Sequence, residues 1–175
     1  MGAIFQQVGQ LDQAWMRGLA ARRVPDWLDR AFRHGTHLGG ATFTILVGMV
    51  LALVPETRAI GVAALVANTV SHLAAQWIKR RFSRRRPHLA LEAFIPLAAI
   101  PDEYSFPSGH ACAAMAVGAT IAPTLPLLPG IGVLVLAFFV GASRVYLRVH
   151  FVTDVIVGFL LGALGAWVGW MVVPG

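Results

Sequence analysis

Three clusters in this chain carry residue types that handle phosphate. The first is Lys79-Arg80-Arg81-Phe82-Ser83-Arg84-Arg85-Arg86-Pro87, a run of cations. The second is Pro107-Ser108-Gly109-His110, at the head of an alanine-rich apolar run. The third extends from Ser143-Arg144 to His150 and Asp154. Lys79, Arg86 and Arg144 offer charged donors, and arginine grips phosphate oxygens two at a time. Ser108 and Gly109 stand at a predicted helix start, where free backbone N–H groups and the helix dipole favour an anion. Glycine lets the backbone come close. His150 and Asp154 are four apart at the start of a helical run, so they share one face. A carboxylate there can hold one ring nitrogen protonated and leave the other free to attack. His110 has no such partner in sequence and is better placed as the acid that protonates a leaving oxygen. A nucleophile, an orienting carboxylate, an acid and several oxyanion donors compose a phosphoryl-transfer site. No cluster of Asp or Glu has the form of a Mg²⁺ site, so no cofactor or metal is expected and the arginines would stabilise charge.

Taken singly, each of these residues has a plainer role. Ser108 is a good N-cap and Pro107 a helix-start proline. His150 alone reads as an interfacial histidine. Arg80, Arg81, Arg84 and Arg85 read as a solvated or headgroup-facing surface that sets orientation. His72, beside Asn68, Thr69 and Ser71, reads as a helix–helix hydrogen-bonding residue, and His34 and His37 as interfacial. Arg148 lies on the right rim and outside the clusters. The joint spacing of the eight site candidates is what outweighs the plainer roles.

The elements that must position them are membrane helices. The chain has 175 residues, 57% hydrophobic and 13% charged, with a mean hydropathy of +0.70. A soluble domain has about a quarter of its residues charged. The net charge of +6 does not point to nucleic acid in so apolar a chain; lipid phosphates are the better partners. Residues 1–9 lack a cleavable signal pattern. The single cysteine, Cys112, excludes an internal disulfide and reads as a small core residue.

Residues 1–35 read as an interfacial amphipathic segment, with Leu11, Trp15 and Leu19 recurring at helical spacing against Arg17, Arg22 and Arg23. Pro25 breaks that helix, and Asp26 can cap the next. Residues 36–175 form the second unit. Five apolar runs, at about 37–54, 59–78, 109–125, 129–147 and 152–173, each approach the roughly 20 residues that span a bilayer. The expectation is an all-α polytopic bundle of about five transmembrane helices. The long loop 79–108 is the chain's only long connection, and such loops tend to be functional. Gly158, Gly162, Gly165 and Gly169 repeat as small-xxx-small, predicting close packing inside the bundle or between copies in a homo-oligomer. Counting crossings puts all three clusters on one membrane face. Of the 14 Lys and Arg residues, only Arg58 falls on the other. The positive-inside rule turns that rim toward the cytoplasm.

The clusters, written KxxxxxxRP, PSGH and SRxxxxxHxxxD, resemble the signatures of the type 2 phosphatidic acid phosphatase (PAP2) family of membrane lipid phosphatases. All three match without a substitution, in the family's order, across residues 79–154. The resemblance implies that His150 is a nucleophile forming a phosphohistidine, that Asp154 orients it and that His110 protonates the leaving group. It implies that Lys79, Arg86, Ser108, Gly109 and Arg144 hold the phosphate. It implies nothing for the first 35 residues. The expected activity is metal-independent hydrolysis of a lipid phosphate or diphosphate: polyprenyl diphosphate, a polyprenyl-linked sugar phosphate, phosphatidylglycerol phosphate or phosphatidate. The chain's small size fits a bacterial envelope role. Relatives that recycle lipid carriers present the site outward, the alternative to a cytoplasmic face. The resemblance also reaches soluble vanadium-dependent haloperoxidases, against which five spanning segments argue. A non-enzymatic lipid-phosphate binder or transporter would need only the basic residues, not His110, His150 and Asp154.

Overall fold

A computed structural model of the protein describes residues 2–20, 24–91, 94–100 and 102–173. It contains helices α1 (Gly2–Ala20), α2 (Asp26–Gly35), α3 (Ala41–Leu53), α4 (Arg58–Phe82), α5 (Pro87–Ala90), α6 (Gly109–Ile121), α7 (Leu127–Tyr146) and α8 (Val152–Val172). Among the described residues the only β pairing is an isolated bridge between Arg85 and Tyr104.

Small residues face inward and large apolar ones outward, the reverse of a soluble domain. Leu73 and Trp77 on α4, Leu128, Val135 and Phe138 on α7, and Leu160, Leu164 and Trp167 on α8 are exposed. Ala63, Ala64, Ala67, Ala111, Cys112 and Ala116 are buried. This is a lipid-facing surface around a closely packed interior. At the centre lies α6, apolar on every side and buried from Ala111 through Gly118, as such a helix must be.

The glycine stripe of α8 makes that packing possible. A Cβ on Gly158 or Gly162 would run into the Ser108 or Cys112 carbonyl of α6 and its cap, at 2.6 and 2.4 Å. On Gly165 or Gly169 it would meet the Ala67 or Ala63 carbonyl of α4, at 2.6 and 2.4 Å. All four glycines therefore face helices of the same chain, the close packing inside the bundle that the stripe predicted.

Among the described residues, three helical stretches are by length and composition able to cross a membrane: Pro55–Phe82, Leu127–Tyr146 and Val152–Val172. A fourth arises if Asp26–Gly39 and Ala41–Leu53, bent by 56°, form one broken span. The first apolar run breaks because a 3-10 turn, Thr36–Gly39, ends at Gly40 with an extended ψ of 150°. The third run gives a helix of only 13 residues, about 20 Å long, because Pro123 in the 3-10 turn that follows has no N–H to continue it.

In α1, Leu11, Trp15 and Leu19 point outward together. The adjoining face buries Asp12 and Met16 against the bundle. Met16 shares a core cluster with Leu91, Ala111, Val145, Phe151 and Val155. Arg22 and Arg23 lie outside the described residues. Pro25, not Asp26, occupies the N-cap of α2, while Asp26 and Asp29 fill its first turn, where the helix dipole favours negative charge.

Candidate active site

The site forms where α4 ends, α6 begins and α7 turns into α8. α4 stops at Ser83, which takes a left-handed conformation with φ 44° and donates its N–H to the Lys79 carbonyl at 3.1 Å. That turn redirects Arg84 and Arg86 inward and leaves Arg85 exposed. Arg86 becomes fully buried, and Lys79, Arg144, His150 and Asp154 are buried as well. Burying this many ionisable groups demands partners for each.

A cavity of about 430 Å³ is lined at its polar end by Lys79, Arg86, Asp102, Gly109, His110, Arg144 and His150. Its walls continue along α3 and α4 through Ala41, Ile45, Asn68, Thr69, His72, Leu73 and Gln76. Six of the eight candidates, drawn from three distant clusters, thus meet in one space. Ser108 does not line it: it is fully buried, and its Oγ accepts from the Ala111 N–H at 3.4 Å as the N-cap of α6. A second cavity, also about 430 Å³, lies beyond His110 and Arg144 and is bounded by Arg33, Thr36, His37 and residues 97–100. His110 and Arg144 form the wall between the two.

Asp102, which sequence reasoning did not single out, sits among the cations. Its Oδ2 accepts from Lys79 Nζ at 2.7 Å, and its Oδ1 from Arg86 Nη2 at 2.6 Å. Its backbone carbonyl accepts from Arg86 Nε at 2.7 Å. Burial pushes the Asp102 carboxyl up, but the hydrogen bonds and charges of Lys79 and Arg86 outweigh this and hold it below the ordinary range. Arg86 Nη1 donates to the Val149 carbonyl at 2.7 Å and lies 3.4 Å from His150 Nε2. Arg144 Nη1 donates to Thr36 Oγ1 at 2.8 Å, while its buried Nε has no hydrogen-bond partner among the described residues.

His150 has a second neighbour besides Asp154. His150 Nδ1 lies 2.7 Å from the Ser105 carbonyl. A carbonyl only accepts, so Nδ1 carries the proton and Nε2 presents its lone pair toward Arg86. Asp154 Oδ2 is 3.7 Å from Nδ1, too far for a hydrogen bond and close enough to act as a charge. The proton is thus held by a backbone carbonyl, which no side-chain pattern could reveal. Burial, with Arg86 and Arg144 nearby, pushes His150 down to about 4 against the opposing pull of Asp154. The ring is therefore neutral at pH 7.

Asp154 is held elsewhere. Its Oδ2 accepts from the Phe151 N–H at 2.8 Å, and its Oδ1 from Arg84 Nη1 at 2.7 Å. Arg84, read from sequence as a solvated residue, is instead bound on several sides. Arg80, Arg81 and Arg85 are exposed. Arg148 sits with its guanidinium 5.2 Å from the Phe94 ring centre. His72 Nε2 pairs with Gln76 Nε2 at 3.3 Å on its own helix; the helix–helix bond expected of it is made instead by Asn68 Nδ2 donating to Thr44 Oγ1 at 3.1 Å.

A lipid-facing helical bundle with a buried cationic cavity, and a neutral histidine whose lone pair faces it, defines a membrane protein built for phosphoryl chemistry. The chain belongs to the PAP2 superfamily, whose family model matches residues 59–175. It is 33% identical over 171 residues to phosphatidylglycerophosphatase B of Bacillus subtilis, covering 90% of this chain and 80% of that one. It is 31% identical over 127 residues to the undecaprenyl-diphosphatase of Sulfolobus acidocaldarius, covering 73% and 60% of the two chains. The crystal structure of the PAP2-type phosphatidylglycerolphosphate phosphatase of B. subtilis superposes with a TM-score of 0.76 at 31% identity, covering 95% of this chain and 86% of that one. Aquifex aeolicus LpxE superposes with a TM-score of 0.79 at 24% identity, over 90% and 93% of the chains, and shares the fold.

Proposed function

We propose that this protein is a membrane lipid phosphatase that works through a phosphohistidine on His150. Its Nε2 attacks the headgroup phosphorus while Nδ1 keeps its proton on Ser105. The bond from phosphorus to the lipid oxygen breaks, and His110 gives that oxygen a proton. Water then attacks the phosphohistidine, returning its proton to His110, and inorganic phosphate leaves. Lys79, Arg86, Arg144 and the first backbone N–H groups of α6, at Gly109 and His110, carry the phosphoryl oxygens. Ser108 acts by fixing the start of α6. The two cavities that meet at His110 suit a lipid arriving on one side and water on the other.

The observation that carries this reading is the carboxylate of Asp102. A protein anion, two oxygens across, is already gripped by Lys79 and Arg86 beside the His150 lone pair. The same donors fit a phosphate. The α4 wall of the cavity narrows the lipid class. Gln76, His72 and Thr69 lie about 4, 10 and 15 Å along the helix from Lys79, at depths where a polyprenyl chain offers only hydrocarbon. A glycerol-linked lipid offers ester and hydroxyl oxygens there. Glycerolipid phosphates of the kind named for the B. subtilis relative therefore come first, ahead of polyprenyl diphosphates.

In the membrane, α6 is a fifth embedded segment sheathed by α4, α7 and α8. Lys79, Arg84, Arg86 and Arg144 are bonded within the site, which leaves exposed Arg17, Arg30, Arg33, Arg80, Arg81 and Arg85 on its side against Arg58 on the other. That imbalance turns the site toward the cytoplasm.

The test is phosphate release by the detergent-purified protein from phosphatidylglycerol phosphate, phosphatidate and a polyprenyl diphosphate, with EDTA present and His150→Ala alongside. Release that survives EDTA and is abolished in the variant is expected. No release from any of them, with binding retained in both proteins, would leave a lipid-phosphate binder. In intact cells, labelling of Arg58→Cys by an impermeant maleimide reports the outward face; a protected Arg58→Cys would reverse the orientation.

A further inference from the structure

We propose that Arg84 is a positioning residue that fixes Asp154, and with it the His150 end of α8, by clamping it to Asp12 of the N-terminal helix. The inference rests on the phosphatase reading, because its measure is turnover through His150. Arg84 does not line the cavity that holds His150, so it does not reach the substrate. Its Nη1 donates to Asp154 Oδ1 at 2.7 Å and to Thr153 Oγ1 at 2.8 Å. Its Nη2 donates to Asp12 Oδ2 at 2.7 Å. The guanidinium lies 4.2 Å from the centre of the Phe151 ring, where cation and ring face attract. Asp12 closes the network on α8: its Oδ1 accepts from the Thr153 N–H at 3.2 Å, and its Oδ2 accepts from the Thr153 hydroxyl.

Asp12 is 3% exposed and Asp154 0%. Two carboxylates buried this deeply each require a countercharge. His150 is neutral and cannot supply one, so a single guanidinium serves both. Its planar fork allows this; an ammonium would hold them less firmly. The consequence for chemistry runs through Asp154. When Nε2 takes a phosphoryl group, the imidazole becomes cationic, and a fixed negative charge 3.7 Å from Nδ1 stabilises it. Without Arg84, Asp154 either takes up a proton or turns to find another donor, and that field is lost. Asp12 contributes from 72 positions away along the chain, so a helix that lines neither site cavity is part of the catalytic apparatus.

The test compares kcat and KM of the full-length protein on one lipid phosphate, with thermal unfolding measured on each variant. Arg84→Gln is expected to lower kcat about 10- to 100-fold, the usual range for a residue that orients an active-site ligand, with KM within about twofold. Arg84→Lys should recover most of the loss, since it keeps the charge. Asp12→Asn should lower kcat less and add little in the Arg84→Gln background, because the two act through one network. Should Arg84→Gln fail to fold, Arg84→Lys and Asp12→Asn decide by the same split. Wild-type kcat in Arg84→Gln, or in Asp12→Asn where that variant has to decide, overturns the proposal. So does a loss that falls on KM alone. Absence of turnover in the wild type would instead overturn the phosphatase reading itself.

Discussion

At the scale of single residues, the site depends on how burial sets protonation. The His150 ring is held in one tautomer by the Ser105 carbonyl at 2.7 Å, and burial lowers it to about 4 from an ordinary value near 6.5. The unfolded chain therefore binds the proton more readily than the folded one. The stabilisation from a neutral His150 is present in full above pH 6.5 and is lost as pH falls through about 4. Catalysis follows the same window. With the substrate's own ionisation measured separately, kcat/KM should show no acid limb from His150 between pH 7 and 5, and should fall toward pH 4. Histidine ¹⁵N shifts in detergent test the assignment directly. A His150 that titrates near 6.5 would mean the ring is solvated and not held as described. The residue types in this site were legible because Lys79, Arg86, His110, Arg144, His150 and Asp154 fall in short local runs. Ser105 was not, since its contribution is a carbonyl that every residue type carries. Nor was Asp102, whose partners Lys79 and Arg86 lie 23 and 16 positions away.

At the scale of elements, the catalytic geometry is a consequence of how closely α8 approaches α6. The Ser108 N–H donates to the Asp154 carbonyl at 2.9 Å, so the start of one helix is tied to the start of the other. A Cβ on Gly158 would meet the Ser108 carbonyl at 2.6 Å and the Ala111 Cβ at 3.2 Å. One of those starts would have to move. Gly158→Ala should cost about 1–3 kcal/mol of stability, as overpacking does, and should lower kcat more than a change of that size elsewhere. Gly132→Ala on α7 is the control, because nothing lies within 4 Å of its added methyl. Thermal unfolding and kcat of the pair check this. Equal behaviour of the two variants would mean the α6–α8 contact is looser than described. The glycine spacing was legible in the sequence; which helices it served was not, because small-xxx-small fits a partner in the bundle as well as one outside it. The break in the first apolar run was not legible for a related reason. Hydropathy reads 37–54 as continuous, while the backbone breaks at Gly40.

At the scale of the whole molecule, the family model covers residues 59–175, while the packing reaches further back. Met16 sits in the same apolar cluster as Phe151 and Val155, which flank Asp154. Asp12 shares Arg84 with Asp154 itself. The amphipathic pattern of α1 was legible as an outward stripe of Leu11, Trp15 and Leu19. Its inward face was not, since one aspartate and one methionine make no pattern by themselves. An interfacial anchor and an integral part of the core make different predictions for a chain lacking residues 1–24. If α1 only anchors, the shortened chain should still insert, melt at the full-length temperature and keep its kcat. If α1 completes the core, loss of Met16 alone removes a buried side chain whose deletion costs about 2–5 kcal/mol, and loss of Asp12 leaves Arg84 with one carboxylate instead of two. The second outcome is expected: a shortened chain still recovered from membranes, with a melting temperature several degrees lower and a kcat reduced at least as far as in Asp12→Asn. Full-length Tm and kcat in the shortened chain would return α1 to the role of an anchor and detach the clamp from catalysis.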